Sequence, residues 1–122
     1  MIKIRLTDRA HFDLQEIKRF SIHTWGKKIA ERYIEDIQTA LSLLQEKPEL
    51  LRQNPQIFSH FKLYRAREHF LVCVELKDFL LVLTIKHGQM DLPNRLAELE
   101  TTLIEEADIL HQRLLATKRK QK

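Results

Sequence analysis

The sequence predicts an α+β domain in the order β-α-α-β-β-β-α, and three observations carry that expectation. Apolar residues recur at steps of three and four over 10–44 and again over 92–114, the spacing of helices with one buried stripe. Between them lie three short runs rich in branched and aromatic residues, 58–66, 69–76 and 79–86. Polar joints too short for a crossover separate the last two runs, so the sheet is expected to be antiparallel. Two N-terminal helices and a long C-terminal helix are expected to pack on one face of it.

The size suits that plan. At 122 residues the chain forms one domain, 1–122, large enough to bury a core without disulfides or metal. Only two glycines and three prolines punctuate it, so long elements follow. No apolar run is long enough to span a membrane, and MIKIRLTDR holds no apolar signal core, so a cytoplasmic protein is expected. The single cysteine, Cys73, sits in FLVCV and reads as a small buried hydrophobe.

Each element has its own signal. IKIRL (2–6) alternates apolar and basic residues as a half-buried strand does. Thr7 or Asp8 can cap the helix that follows, which carries Ala10, Leu14, Ile17 and Ser21 or Phe20 inward. Gly26, after Trp25, stands where a left-handed cap residue belongs. Ile29, Ala30, Tyr33, Ile34, Ile37, Leu41 and Leu44 form the second stripe, which stops before Pro48. The segment 48–57 has no period and reads as a loop. FLLVLTIK (79–86) is apolar on both faces, as a central strand is, and Lys77–Asp78 joins it to its neighbour as a hairpin. After Pro93, with Asn94 as a cap, a helix over 95–117 keeps a leucine stripe that serves its own sheet or a partner. A basic tail, 118–122, is expected to be disordered.

The charge of +4 is unevenly spread. No acid lies between Glu49 and Glu68, while Arg52, Lys62, Arg65 and Arg67 fall there, which predicts a positive patch. The six histidines match no C-x-x-C or H-E-x-x-H frame, so neither metal nor cofactor is expected. Only His69 and His87 can approach each other, across neighbouring strands. Cleavage of RNA through its 2′-hydroxyl needs a base, an acid and cations. Lys62, Arg65, Arg67, His69, Lys86 and His87 are the candidates for those roles, and a charged edge strand with no chemistry explains them equally well.

One pattern reaches further. Ala10, Asp13, Leu14, Ile17, Trp25, Gly26, Ala30, Tyr33, Leu44 and Pro48, then His69, and finally His87, Met90, Asp91, Leu92, Pro93 and Leu96 resemble the ParE branch of the RelE/ParE superfamily of type II toxin–antitoxin toxins. The spacing H..MDLP..L is its most diagnostic piece. The resemblance covers residues 1 to about 96 and leaves the last 26 without a counterpart. It implies a RelE/ParE-like fold and a basic toxin neutralised by an acidic cognate antitoxin, with which it can form an oligomer. A ParE-like toxin would poison DNA gyrase; a RelE-like one would cut mRNA on the ribosome; a decayed member would only bind its antitoxin. The arginine that RelE-like nucleases carry at the start of the strand HFLVCVE falls here on Phe70; from the ParE pattern the chain departs in lacking a glycine shortly after the loop proline and in carrying Cys73 where a tyrosine is expected. The residues 84–96, TIKHGQMDLPNRL, read as a strand-to-helix corner in which Asp91 accepts hydrogen bonds, Met90 fills the core and Pro93 sets the start of the last helix.

Overall fold

The strand that is apolar along both faces decides the architecture, because each face needs its own cover. The protein is described over residues 2–57 and 60–120 in a computed structural model. Its elements are β1 (Lys3–Leu6), α1 (Asp8–Trp25), α2 (Lys27–Glu46), a 3-10 turn (Pro48–Leu50), β2 (Lys62–Ala66), β3 (His69–Glu75), β4 (Phe79–His87) and α3 (Leu92–Lys120). The sheet order is β1-β4-β3-β2. Strands β2, β3 and β4 are antiparallel as expected. β1 departs from the expectation: it lies parallel to β4, with Lys3 beside Phe79 and Leu6 beside Val82. A parallel neighbour requires a long crossover, which the helical hairpin and the strands after it supply.

The helices do not share one face, contrary to the expectation. Ala10, Ile17, Ile37 and Leu44 of α1 and α2 pack with Leu71, Cys73, Leu80 and Val82. Leu96, Leu103 and Ala107 of α3 pack with Val72, Leu81 and Leu83, the alternate residues of the same strands. Period two along β4 delivers apolar side chains to both sides, and one helical layer can cover only one. The leucine stripe of α3 is therefore committed to its own sheet.

The element ends follow local chemistry. The Thr7 hydroxyl accepts from the Ala10 amide at 3.1 Å and donates to the Leu83 carbonyl at 2.9 Å, so one side chain caps α1 and ties it to β4. Gly26 has φ 93° and ψ 166°, which is extended backbone at positive φ rather than the left-handed helical cap expected; a side chain there would be strained. At the other hairpin, Leu76 donates to Phe79 at 2.8 Å across Lys77–Asp78.

Three boundaries shift. The segment 48–57 holds a 3-10 turn, and Arg52 bridges Leu63. β2 opens at Lys62, later than expected, and residues 58 and 59 lie outside the described ones. α3 starts at Leu92, ahead of Pro93, because a proline fits the first turn, where the amide has no helical partner. Asp91, not Asn94, precedes it, and its carbonyl accepts from the Arg95 amide at 3.0 Å. The helix also runs past 117. Residues 118–120 of the expected disordered tail are helical, and Lys118 pairs with Asp78 at 3.1 Å; residues 121 and 122 lie outside the described ones.

Candidate functional site

At one end of the sheet, β2 turns into β3 and β4 runs out beside them. The register sets Ala66 beside His69 and His69 beside His87, so these three share the face that α2 covers. Their rings meet: His69 and His87 lie 5.0 Å apart, and Tyr33 of α2 lies 5.6 Å from His69, both edge to face. The Glu68 amide donates to the Tyr33 oxygen at 3.1 Å, and the same hydroxyl is hydrogen-bonded to His69 Nδ1 at 2.7 Å. Burial, and then the neighbouring His87, lower the His69 pKa to about 4, so the ring is neutral at pH 7. Burial also raises the Tyr33 pKa above its ordinary value.

Of the six nuclease candidates, Arg67, His69 and His87 gather here, and Lys62, Arg65 and Lys86 lie elsewhere. Arg67 reaches the cluster, with its guanidinium 4.9 Å above the Tyr33 ring and 3.1 Å from Asp36. Arg65 and Lys86 flank Phe70 in the register, on the opposite face of the sheet, and Arg65 sits 5.7 Å from the Phe70 ring. Lys62 stands at the far end of β2, 3.3 Å from Glu75. The predicted positive patch is largely neutralised too. Lys62, Arg65 and Arg67 each pair with a carboxylate, two of them with partners outside the run, Glu75 and Asp36.

The motif stretch is a hydrogen-bonded corner. His87 Nδ1 accepts from the Gln89 amide at 3.0 Å, and its carbonyl accepts from Met90 at 3.1 Å. Gly88 donates to the Glu68 carbonyl at 2.8 Å and leaves room for Phe70, whose ring would lie 3.1 Å from an added Cβ. Asp91 accepts from the Asn94 side-chain amide at 2.6 Å. Met90 is 37% exposed, so it does not fill the core as expected; the corner carries it outward before the helix begins.

A second feature lies at Trp25 and Gly26, which the sequence singled out through the family resemblance. Trp25 is half exposed at the turn between α1 and α2, edge to face with Phe20 at 5.9 Å and stacked on Tyr33 at 6.5 Å. Ile22 and Ile29 are exposed beside it in sequence, with Lys27 and Lys28 between them and Ile29 exposed although it was expected in the buried stripe. The signal was present: no carboxylate falls between Glu16 and Glu31. The larger cavity, of about 930 Å³, is elsewhere, between α3 and the start of β2, lined by His60, Phe61, Glu75, Ile104 and His111 among others. No group of three metal-ligating side chains forms among the described residues, and no helix among them is long and apolar enough to cross a membrane.

A four-stranded sheet in the order β1-β4-β3-β2 holds a helical hairpin against one face. Two solved structures share it. The chromosomal ParDE system of P. aeruginosa superposes with a TM-score of 0.64 at 17% identity, over 71% of this chain and 96% of that one. The RelBE2 toxin–antitoxin complex of Mycobacterium tuberculosis gives 0.55 at 13% identity, over 70% and 96%. No curated protein matches the chain in sequence. The chain belongs to the family described as ParE toxin of type II toxin-antitoxin system, parDE, whose sequence model matches residues 4–92. All of α3 after its first residue lies beyond that match.

Proposed function

We propose that this chain is a toxin that an acidic antitoxin holds inactive and that acts in the cytoplasm on DNA gyrase. The observation that carries the reading is the division of the candidate cations between the two faces of the sheet. Phosphoryl transfer needs cations and a proton shuttle converging on one phosphate. Here Arg65 and Lys86 lie on the face opposite the histidines, Lys62 stands at the far end of β2, Phe70 occupies the arginine position of the nuclease branch, and Arg67 already serves Asp36 and Tyr33. A gyrase poison needs none of that chemistry, because the target enzyme breaks the DNA and the toxin only has to bind. The antitoxin reading is supported by the net charge of +4 and by the neighbours, both from toxin–antitoxin systems. Their complex is expected to bury more than about 1,200 Å² in total.

The His69–His87 contact favours a second reading, ribosome-dependent mRNA cleavage, since two adjacent imidazoles can exchange protons. Purified protein would be incubated with gyrase and supercoiled plasmid, and separately with translating ribosomes. Linear DNA trapped with gyrase, and growth inhibition that survives His87→Ala in a folded variant, are the expected results. Ribosome-dependent cleavage by the wild type that His87→Ala abolishes would replace the first reading with the second.

A further inference from the structure

Exposed apolar surface on this protein gathers at two places of opposite charge. The first is the tip of the helical hairpin. Phe20, Ile22, Trp25 and Ile29 are exposed there, within a stretch that holds four cations and no carboxylate between Glu16 and Glu31. Lys18, Lys27 and Lys28 form no ion pair among the described residues.

The second place is the outer face of α3. Between Arg95 and Arg113 the helix holds five carboxylates and no lysine or arginine. Ile109 is exposed on it, 56%, beside Glu105, while Ile104, 43% exposed, and Asp108 stand at its edge on the rim of the cavity between α3 and β2; Glu105 and Asp108 are exposed and unpaired among the described residues. This face is held in place. Glu106 takes Arg9 at 2.6 Å, Asp8 takes Arg113 at 3.6 Å, and Asp78 takes Lys118 at 3.1 Å, while Leu103 anchors the buried side. Only Phe12 and Met90 complete the set of large exposed apolar residues among the described ones.

Isolated exposed isoleucines need no explanation, but two apolar patches with complementary rims on one rigid body do. Within one molecule they cannot meet, because the hairpin and α3 cover opposite faces of the sheet and the outer side of α3 turns away from it. Between molecules they can. We propose that the hairpin tip of one copy docks on the outer face of α3 of a second copy, so that the free chain associates head to tail. Such a contact is heterologous, and it extends with concentration unless its rotation closes a ring. The inference rests on the surface of this chain and not on the gyrase reading.

The test is the mass in solution of the purified full-length chain, by light scattering and sedimentation, over a wide range of concentration at low and high salt. The wild type is expected above its monomer mass of 14.6 kDa at low salt and to fall toward it at high salt, since exposed charges are screened. Lys27→Glu with Lys28→Glu, and separately Glu105→Lys with Asp108→Lys, should each give a folded monomer by circular dichroism. Mixing the two variants should restore association, because each reversed patch then meets an opposite one. Ile109→Ser, which touches no charge, should weaken association in the wild-type background. A wild type that stays monomeric throughout would overturn the proposal, including one that instead binds an acidic peptide or anionic phosphatidylserine vesicles through the tip. Association that survives either pair of charge reversals would overturn it as well, by taking the contact off that patch.

Discussion

Leu103→Ala tests whether α3 is an integral layer of the domain. Leu103 is fully buried on the second face of the sheet, in a cluster with Leu81, Leu83, Leu96 and Ala107. Truncating its isobutyl group removes three carbons, about 2.4 kcal/mol at roughly 0.8 kcal/mol for each. The cavity adds to this, since measured losses for buried leucines run from about 2.7 to 5 kcal/mol. α3 is tied to its surroundings through Arg9, Asp8 and Asp78, so it cannot simply settle into the gap. A loss of about 3 kcal/mol is expected. Against a total stability of about 5–15 kcal/mol this is large, and it lowers Tm by about 10–15 °C in a domain of this size. Urea unfolding followed by circular dichroism measures it, with the slope unchanged. Ile109→Ala, on the outer face, should move stability by less than about 0.5 kcal/mol. Equal effects of the two substitutions, or a melting point unmoved by Leu103→Ala, would refute a buried α3 layer.

Two further outcomes concern the strand-end cluster. His69 has a folded pKa of about 4, below the ordinary 6.5, so the unfolded chain takes up the proton first. The stability this represents is present above pH 6.5 and is lost as pH falls toward 4; with solvent screening of a partly exposed ring it amounts to on the order of 1–2 kcal/mol. Denaturant midpoints across that window should fall more steeply for the wild type than for His69→Gln, and parallel curves would refute the assignment. Arg67 holds φ 58° in the β2–β3 turn, where glycine is favoured, while stacking on Tyr33 and pairing with Asp36. Arg67→Ala keeps the strain and loses the contacts, whereas Arg67→Gly loses both. Gly should therefore be more stable than Ala there by about 1 kcal/mol, and the reverse order would mean that the turn is not strained.

What could be read from the sequence is what local chemistry decides. The helical stripes, the Thr7 cap, the Lys77–Asp78 turn and the meeting of His69 with His87 follow from spacing and strand register, and the structure carries all of them. Long-range choices were not legible. The parallel β1 depends on where the hairpin returns the chain, and Met90 depends on the angle of the corner. The basic run looked positive because its neutralising partners lie far off in sequence: Asp36 is 31 residues from Arg67, and Glu75 is 13 from Lys62. One long-range choice does have a local signal. A strand apolar on both faces already requires two covering layers, so the placement of α3 opposite the hairpin was implied by FLLVLTIK.

The same period-two geometry explains why a cluster dense in sequence is divided between the two faces of the sheet. Neighbours along a strand point to opposite faces, so His69 and Phe70 part company, as do Lys86 and His87. Across the sheet the register then builds two rows: Ala66, His69 and His87 toward the hairpin, and Arg65, Phe70 and Lys86 toward the other face. The first row holds imidazoles without a free cation beside them; the second holds cations with an apolar ring at their centre. Moving a cation to the histidines would take a one-residue slip of β3, which would also turn Leu71 and Cys73 out of the hairpin core and Val72 out of the α3 core. The packing that stabilises both layers therefore holds the charges apart. On the far side of the sheet α3 covers Val72, Leu81 and Leu83, so that face is closed by the chain itself.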